Sequence, residues 1–159
     1  MRKSIIIAAI AVFTGIGFVG CSKSDDSGET PQQIDLTNTK WKLVKYVEYD
    51  FNGKVVQTTP ISIEGCPDDV FVFLPNQKSE YTNYEKLDGK CHKDVNSLTG
   101  WKIVNGALIL IDTRDKSERN YKILKYTDTE LETEYTVKKG DTEFELNTQK
   151  VITYYLKVK

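Results

Sequence analysis

Apolar and polar residues alternate with a period of two along most of the stretch from Thr37 to Lys159, and no window in it sustains the three-and-four spacing of an amphipathic helix. Such a chain builds strands. In the first run Trp41, Leu43, Val47, Tyr49 and Phe51 fall on one face and Lys42 and Glu48 on the other, with Lys45 as the exception on the apolar side. The same 123 residues hold one alanine, Ala107, against fourteen threonines and fifteen aromatics. That balance is poor in helix formers and rich in side chains that fit a pleated surface. The reading is an all-β domain over residues 37–159.

Turn signals divide the stretch. Asn52-Gly53 returns the first strand into Lys54–Thr58, and Asn105-Gly106 joins Leu98–Val104 to Ala107–Asp112. Val70–Leu74, Ser79–Lys86, Tyr121–Tyr126 and Glu130–Val137 read as further strands. Glu143–Lys159 is too long for one ordinary strand and is expected to bend or divide around residues 147–150. The count is eight to ten strands. Short connections favour a single antiparallel up-and-down meander, and closing it into a β-barrel removes the exposed edges. A sandwich of immunoglobulin type is the alternative, less favoured because Cys66, Trp101 and Cys91 are out of order for the cysteine, tryptophan, cysteine pattern of that fold.

Residues 1–20 stand apart. Met1-Arg2-Lys3 leads into an apolar run of 15 residues, Ile5–Val19, too short for a membrane-spanning helix and built like a secretory signal peptide that is removed. Phe18-Val19-Gly20-Cys21 resembles the lipobox of bacterial lipoproteins, with Phe18 where leucine is usual. The resemblance implies lipidation of Cys21 and a membrane partner reached through that anchor, each buried CH₂ adding about 0.8 kcal/mol. Residues 21–36 are then the lipidated cysteine and a flexible tether. Its start, Ser22-Lys23-Ser24-Asp25-Asp26, is either a plain polar linker or resembles the signal that sends lipoproteins to the outer face of the outer membrane in certain Gram-negative bacteria. The expected location is the bacterial outer membrane, lipid-anchored, with exposure at the cell surface following only from the second of these readings.

Lys and Arg number 22 and Asp and Glu 23. Removal of Arg2 and Lys3 with the signal leaves the remainder mildly acidic, which excludes the basic field of a nucleic-acid binder. Cys66 and Cys91 form an even pair in an exported chain and read as a disulfide worth about 3 kcal/mol. A metal site from Cys66, Cys91, His92 and Asp68 or Asp69 is the competing reading, with no recognised zinc spacing behind it. His92 is the only histidine and has no evident partner for general-base work. The chain lacks Gly-x-Ser-x-Gly, Ser-x-x-Lys and a glycine-rich phosphate loop, so neither an enzyme nor a cofactor is expected. Glu132 with Glu134, and Glu143 with Glu145, read as solvated strand faces. Asp112, Asp115 and Glu118 lack the glycine and ligand set of a calcium loop.

Several segments in order, Thr39-Lys40-Trp41-Lys42-Leu43-Val44, Val70-Phe71-Val72-Phe73, Gly100-Trp101-Lys102-Ile103, Leu108-Ile109-Leu110 and Tyr121–Leu131, resemble the lipocalin-like domains of small bacterial lipoproteins. The resemblance covers residues 37–158. It implies a barrel closed at one end by Trp41, although Thr39 stands where other lipocalins have glycine and no C-terminal helix follows the last strand. The implied function is non-enzymatic binding of a small apolar or amphipathic molecule. The alternative is an envelope interaction or structural module whose barrel is filled by its own side chains. Trp101, Tyr81, Tyr84 and Tyr121 are the expected pocket residues, because tyrosine joins an apolar ring to a polar tip and these positions lie near strand ends or polar interruptions.

Overall fold

The computed structural model describes residues 33–141, 144–145 and 147–159. The signal peptide, Cys21 and most of the expected tether lie outside these residues. Nine strands follow in chain order: β1 (Thr39–Tyr49), β2 (Val55–Pro60), β3 (Val70–Phe73), β4 (Lys78–Leu87), β5 (Lys90–Val104), β6 (Ala107–Asp112), β7 (Glu118–Tyr126), β8 (Glu130–Thr136) and β9 (Lys150–Lys157). All pairings are antiparallel, and β3 to β9 run as a meander in sequence order. Pairing of β1 with both β3 and β9 closes eight of the strands into a barrel, as the alternation and short connections lead one to expect.

β1 changes neighbours half-way along. Thr39–Lys42 pair with β3, whereas Lys45–Tyr49 pair with β2. At the changeover Val44 is an extra residue, since Leu43 opposes Tyr155 and Lys45 already opposes Tyr154. This β-bulge shifts the phase of the strand by one. Trp41 and Leu43 face inward before it; after it Tyr46 and Glu48 face inward, opposite Thr153 and Val151. The expectation that Val47, Tyr49 and Phe51 continue the face of Trp41, with Glu48 opposite, is therefore corrected. Tyr49 instead meets Lys150 Nζ at 5.4 Å on the outer side, and Phe51 sits 75 % exposed in the β1–β2 turn.

The two Asn-Gly pairs make different turns. Asn105 and Gly106 both have positive φ, 52° and 74°, the conformation of the tight hairpin turn that suits these residues. At Asn52-Gly53 only the glycine is left-handed; Asp50 pairs with Lys54 across a three-residue loop, and Asp50 Oδ1 accepts the backbone N–H groups of Asn52 (2.8 Å) and Lys54 (2.9 Å).

One half of the barrel is filled. Leu36, Trp41, Phe73, Trp101, Leu108 and Leu131 form its core, with Ile34, Phe71 and Ile103 packed against them. Leu36 is fully buried, so the described end of the expected tether belongs to the domain. Its carbonyl accepts from the Thr39 hydroxyl (2.5 Å), which in turn accepts the Trp41 indole N–H (2.8 Å). A threonine at position 39 thus fixes the plug that the sequence assigns to Trp41. Among the described residues, the C-terminal segment contributes one strand, β9, which begins at Lys150.

Candidate functional site

The other half is hollow. A cavity of about 680 Å³ is lined by inward residues of five neighbouring strands and of the β8–β9 connection. Tyr46 and Glu48 come from β1, Gln57 and Thr59 from β2, Arg119 and Tyr121 from β7, Tyr135 from β8, Val151 and Thr153 from β9, and Phe144 and Glu145 from the connection. Only one of these side chains, Val151, is aliphatic. The walls combine aromatic rings with amide, hydroxyl and charged groups, a surface suited to a ligand with both an apolar body and polar points.

Aromatic pairs hold the walls in place. The Tyr121 and Tyr135 rings, opposite each other on β7 and β8, lie 5.4 Å apart, and Phe144 continues the row 6.0 Å beyond Tyr135. The Tyr135 hydroxyl donates to Asp141 Oδ2 at 2.7 Å. Burial, then that acceptor, pushes the Tyr135 phenol up to about 12, while the Lys138 N–H and the same phenol hold the Asp141 carboxyl below its usual range. Burial and the neighbouring Tyr46 raise both the Tyr81 and the Tyr155 phenols.

Glu48 is 8 % exposed and organises the rim. Its Oε2 accepts the Thr148 hydroxyl at 2.6 Å and the Glu145 backbone N–H at 3.2 Å, and Gln149 N–H donates to the Tyr49 carbonyl at 2.8 Å. These bonds bring Phe144 and Glu145 over the chamber.

Residues 36–133 match the family model of the lipocalin-like domain. The chain belongs to the lipocalin-like domain family. No curated protein matches it. The match spans β1 to the middle of β8, and β9 completes the lipocalin-like barrel by pairing with both β8 and β1.

The lipocalin-like barrel treats the four expected pocket residues differently. Tyr121 lines the cavity. Tyr81 is not among the described lining residues; its hydroxyl donates to Asp69 Oδ2 at 2.9 Å. Tyr84 gives Asp69 Oδ1 only its backbone N–H, at 3.0 Å, and three residues on from Tyr81 it falls on the opposite strand face. Trp101 is placed in the core and away from the cavity. It is 7 % exposed, donates its indole N–H to the Leu74 carbonyl (3.2 Å) and meets the Phe73 ring edge-on at 5.2 Å. It lies inside the barrel next to Leu110 and not at a strand end open to water, which is why it belongs with Trp41.

Cys66 and Cys91 are joined as a disulfide, with Cα atoms 5.6 Å apart, tying the β2–β3 connection to the β4–β5 hairpin. His92 opposes Glu85 near the exposed tip of that hairpin. Asp112 is held at about 2 by its hydrogen bonds from Arg114. Sequence reasoning missed Glu48, Arg119, Gln57 and Thr59 as cavity residues. The signal for Glu48 was present in Lys45, whose place on an apolar face marks the bulge beside it.

Proposed function

We propose that this protein is an exported, lipid-anchored binding module of the bacterial envelope, attached through Cys21, that takes a small amphipathic molecule without enzymatic chemistry. The observation that carries the binding reading is the half-hollow barrel: a filled base gives rigidity, and about 680 Å³ above it is of the size that small-molecule sites use. Membership of the lipocalin-like family supports it. The mixture of rings and polar groups supports the amphipathic half of the expectation over the purely apolar one. The anchor, the outer-membrane location and exposure at the cell surface rest on the motif at residues 18–26.

Titration of the purified full chain with amphipathic and apolar probes, followed by melting temperature, tests the site. A ligand present at a hundred times its Kd adds about 2.7 kcal/mol to folding stability, an easily read shift. Val151→Trp, which fills the chamber, should abolish the shift. The absence of a saturable shift with any probe favours the interaction-module reading, for which the exposed β4–β5 hairpin tip is the specific support. For the anchor, Cys21→Ala should release the protein from the membrane fraction and remove the lipid mass from its N-terminal peptide. Continued membrane attachment of that variant would overturn the lipoprotein reading.

A further inference from the structure

The charge arrangement in the chamber specifies its ligand further than amphipathicity does, and the inference rests on the binding reading above. Glu48 is a carboxylate inside a protein wall, yet its Oε2 partners are a hydroxyl and an amide, both uncharged. Among the described residues no lysine, arginine or histidine forms an ion pair with it. A buried carboxylate without a counter-charge is costly and is ordinarily answered by a cation. A second carboxylate, Glu145, lines the same space directly after Phe144. Among the described lining residues the one cation, Arg119, stands on β7, three strands along from β1. Its guanidinium lies 5.8 Å from the Tyr135 ring centroid, and its charge helps to hold Asp141 ionised there.

Between these groups the surface is aromatic. Tyr46 precedes Glu48 on the same inward face, and the rings of Tyr121, Tyr135 and Phe144 form a row along the far wall. Ring faces attract cations through their quadrupole, and more strongly when water is excluded. Carboxylate and rings together are complementary to an ammonium group on a carbon body. A metal ion fits less well, since among the described residues no three metal-ligating side chains converge. A fatty acid would bring a second negative charge to Glu48 and Glu145 and, among the described lining residues, would find Val151 as its one aliphatic contact.

We infer that the chamber takes an organic cation, a primary or quaternary ammonium on a small apolar body, with its charge toward Glu48 and its carbons against the tyrosine and phenylalanine rings.

Three probes that share a phenylethyl-type body and differ in charge make the test: phenethylamine, phenethyl alcohol and phenylacetate, titrated calorimetrically into the purified full chain. The amine should bind at least about tenfold more tightly than the alcohol, weaken with added salt, and leave phenylacetate without measurable binding. Glu48→Gln keeps an acceptor for Thr148 and should lose about tenfold for the amine, a larger loss than for the alcohol. Equal binding of all three, a preference for phenylacetate, or full amine affinity in a folded Glu48→Gln variant would overturn the inference and leave the binding reading intact. Failure of all three to bind also overturns it, and the binding reading falls too only if the wider probe set has no effect. Should Glu48→Gln unfold, the charge series on the unaltered protein and a loss of about threefold in Glu145→Gln carry the same decision.

Discussion

The Tyr81 hydroxyl donates to Asp69 Oδ2 at 2.9 Å, and the same carboxylate accepts the Tyr84 N–H through Oδ1 at 3.0 Å. The Asp69 carbonyl meanwhile accepts the Leu43 N–H at 3.0 Å. One buried residue at the end of the β2–β3 connection therefore binds β4 with its side chain and β1 with its backbone, in the same connection that the Cys66–Cys91 disulfide ties to β5.

Asp69→Ala should destabilise the domain by about 3 kcal/mol, because two hydrogen bonds to a charged acceptor are lost and their donors are left poorly solvated. Tyr81→Phe should cost less, about 1–2 kcal/mol. Urea denaturation measures both, and a loss in Asp69→Ala no larger than that in Tyr81→Phe would show that the bond to Tyr84 contributes nothing.

Substitution of Trp101 should act on stability and not on ligand affinity. Trp101→Ala removes a buried indole together with its bond to Leu74, and a cost of about 3–5 kcal/mol is expected. Trp101→Phe should retain the fold and bind chamber probes as the parent does. A selective loss of affinity in that variant would return Trp101 to the site.

Alkaline pH should unfold the domain steeply. The Tyr81, Tyr126, Tyr135, Tyr154 and Tyr155 phenols are all raised, so the folded state binds their protons more tightly than the unfolded chain does. Their contribution is complete below the ordinary tyrosine value of 10.0 and is lost as pH rises through the folded values, about 12 for Tyr135. Tyrosinate absorbance and circular dichroism should change together in that window. Independent titration of phenols near pH 10.0 with the fold intact would contradict the burial of these side chains.

Reduction should loosen one region and leave the barrel closed. Opening Cys66–Cys91 is expected to cost about 3 kcal/mol in the chain-entropy account. Hydrogen exchange should rise in residues 61–69 and 83–95 before it rises in β6 to β9. Two free thiols in the unreduced protein, by intact mass, would remove the basis of this expectation.

Much of the fold was legible because strand faces and tight turns are local properties. Ala107–Asp112 was read to the residue, since an Asn-Gly turn and an unbroken apolar run define it. The first half of β5, residues 90–97, was missed, being exposed and largely polar on both faces with no alternation to reveal it. The pocket was legible only in part. Tyr121 follows from its place on an inward face, but Trp101 and Tyr121 look alike in sequence. What separates them is which half of the barrel each strand position occupies, a matter of stagger between strands that are distant along the chain. Arg119 and Glu48 carry charge, and a charged residue in a strand defaults to solvent until the third dimension shows otherwise.

The extra residue at Val44 reaches furthest. Were Val44 paired regularly, with no bulge, the upper part of β1 would present Lys45, Val47 and Tyr49 to the lumen and turn Tyr46 and Glu48 outward. The chamber's chemical preference thus depends on where the strand absorbs its extra residue: moving the bulge past Glu48 would exchange an acidic, phenolic wall for a basic, greasy one, whereas deleting Val44 itself would leave Tyr46 and Glu48 facing inward. A lineage of such barrels can change what it carries by shifting the position of this bulge along the strand, with every lining residue still encoded.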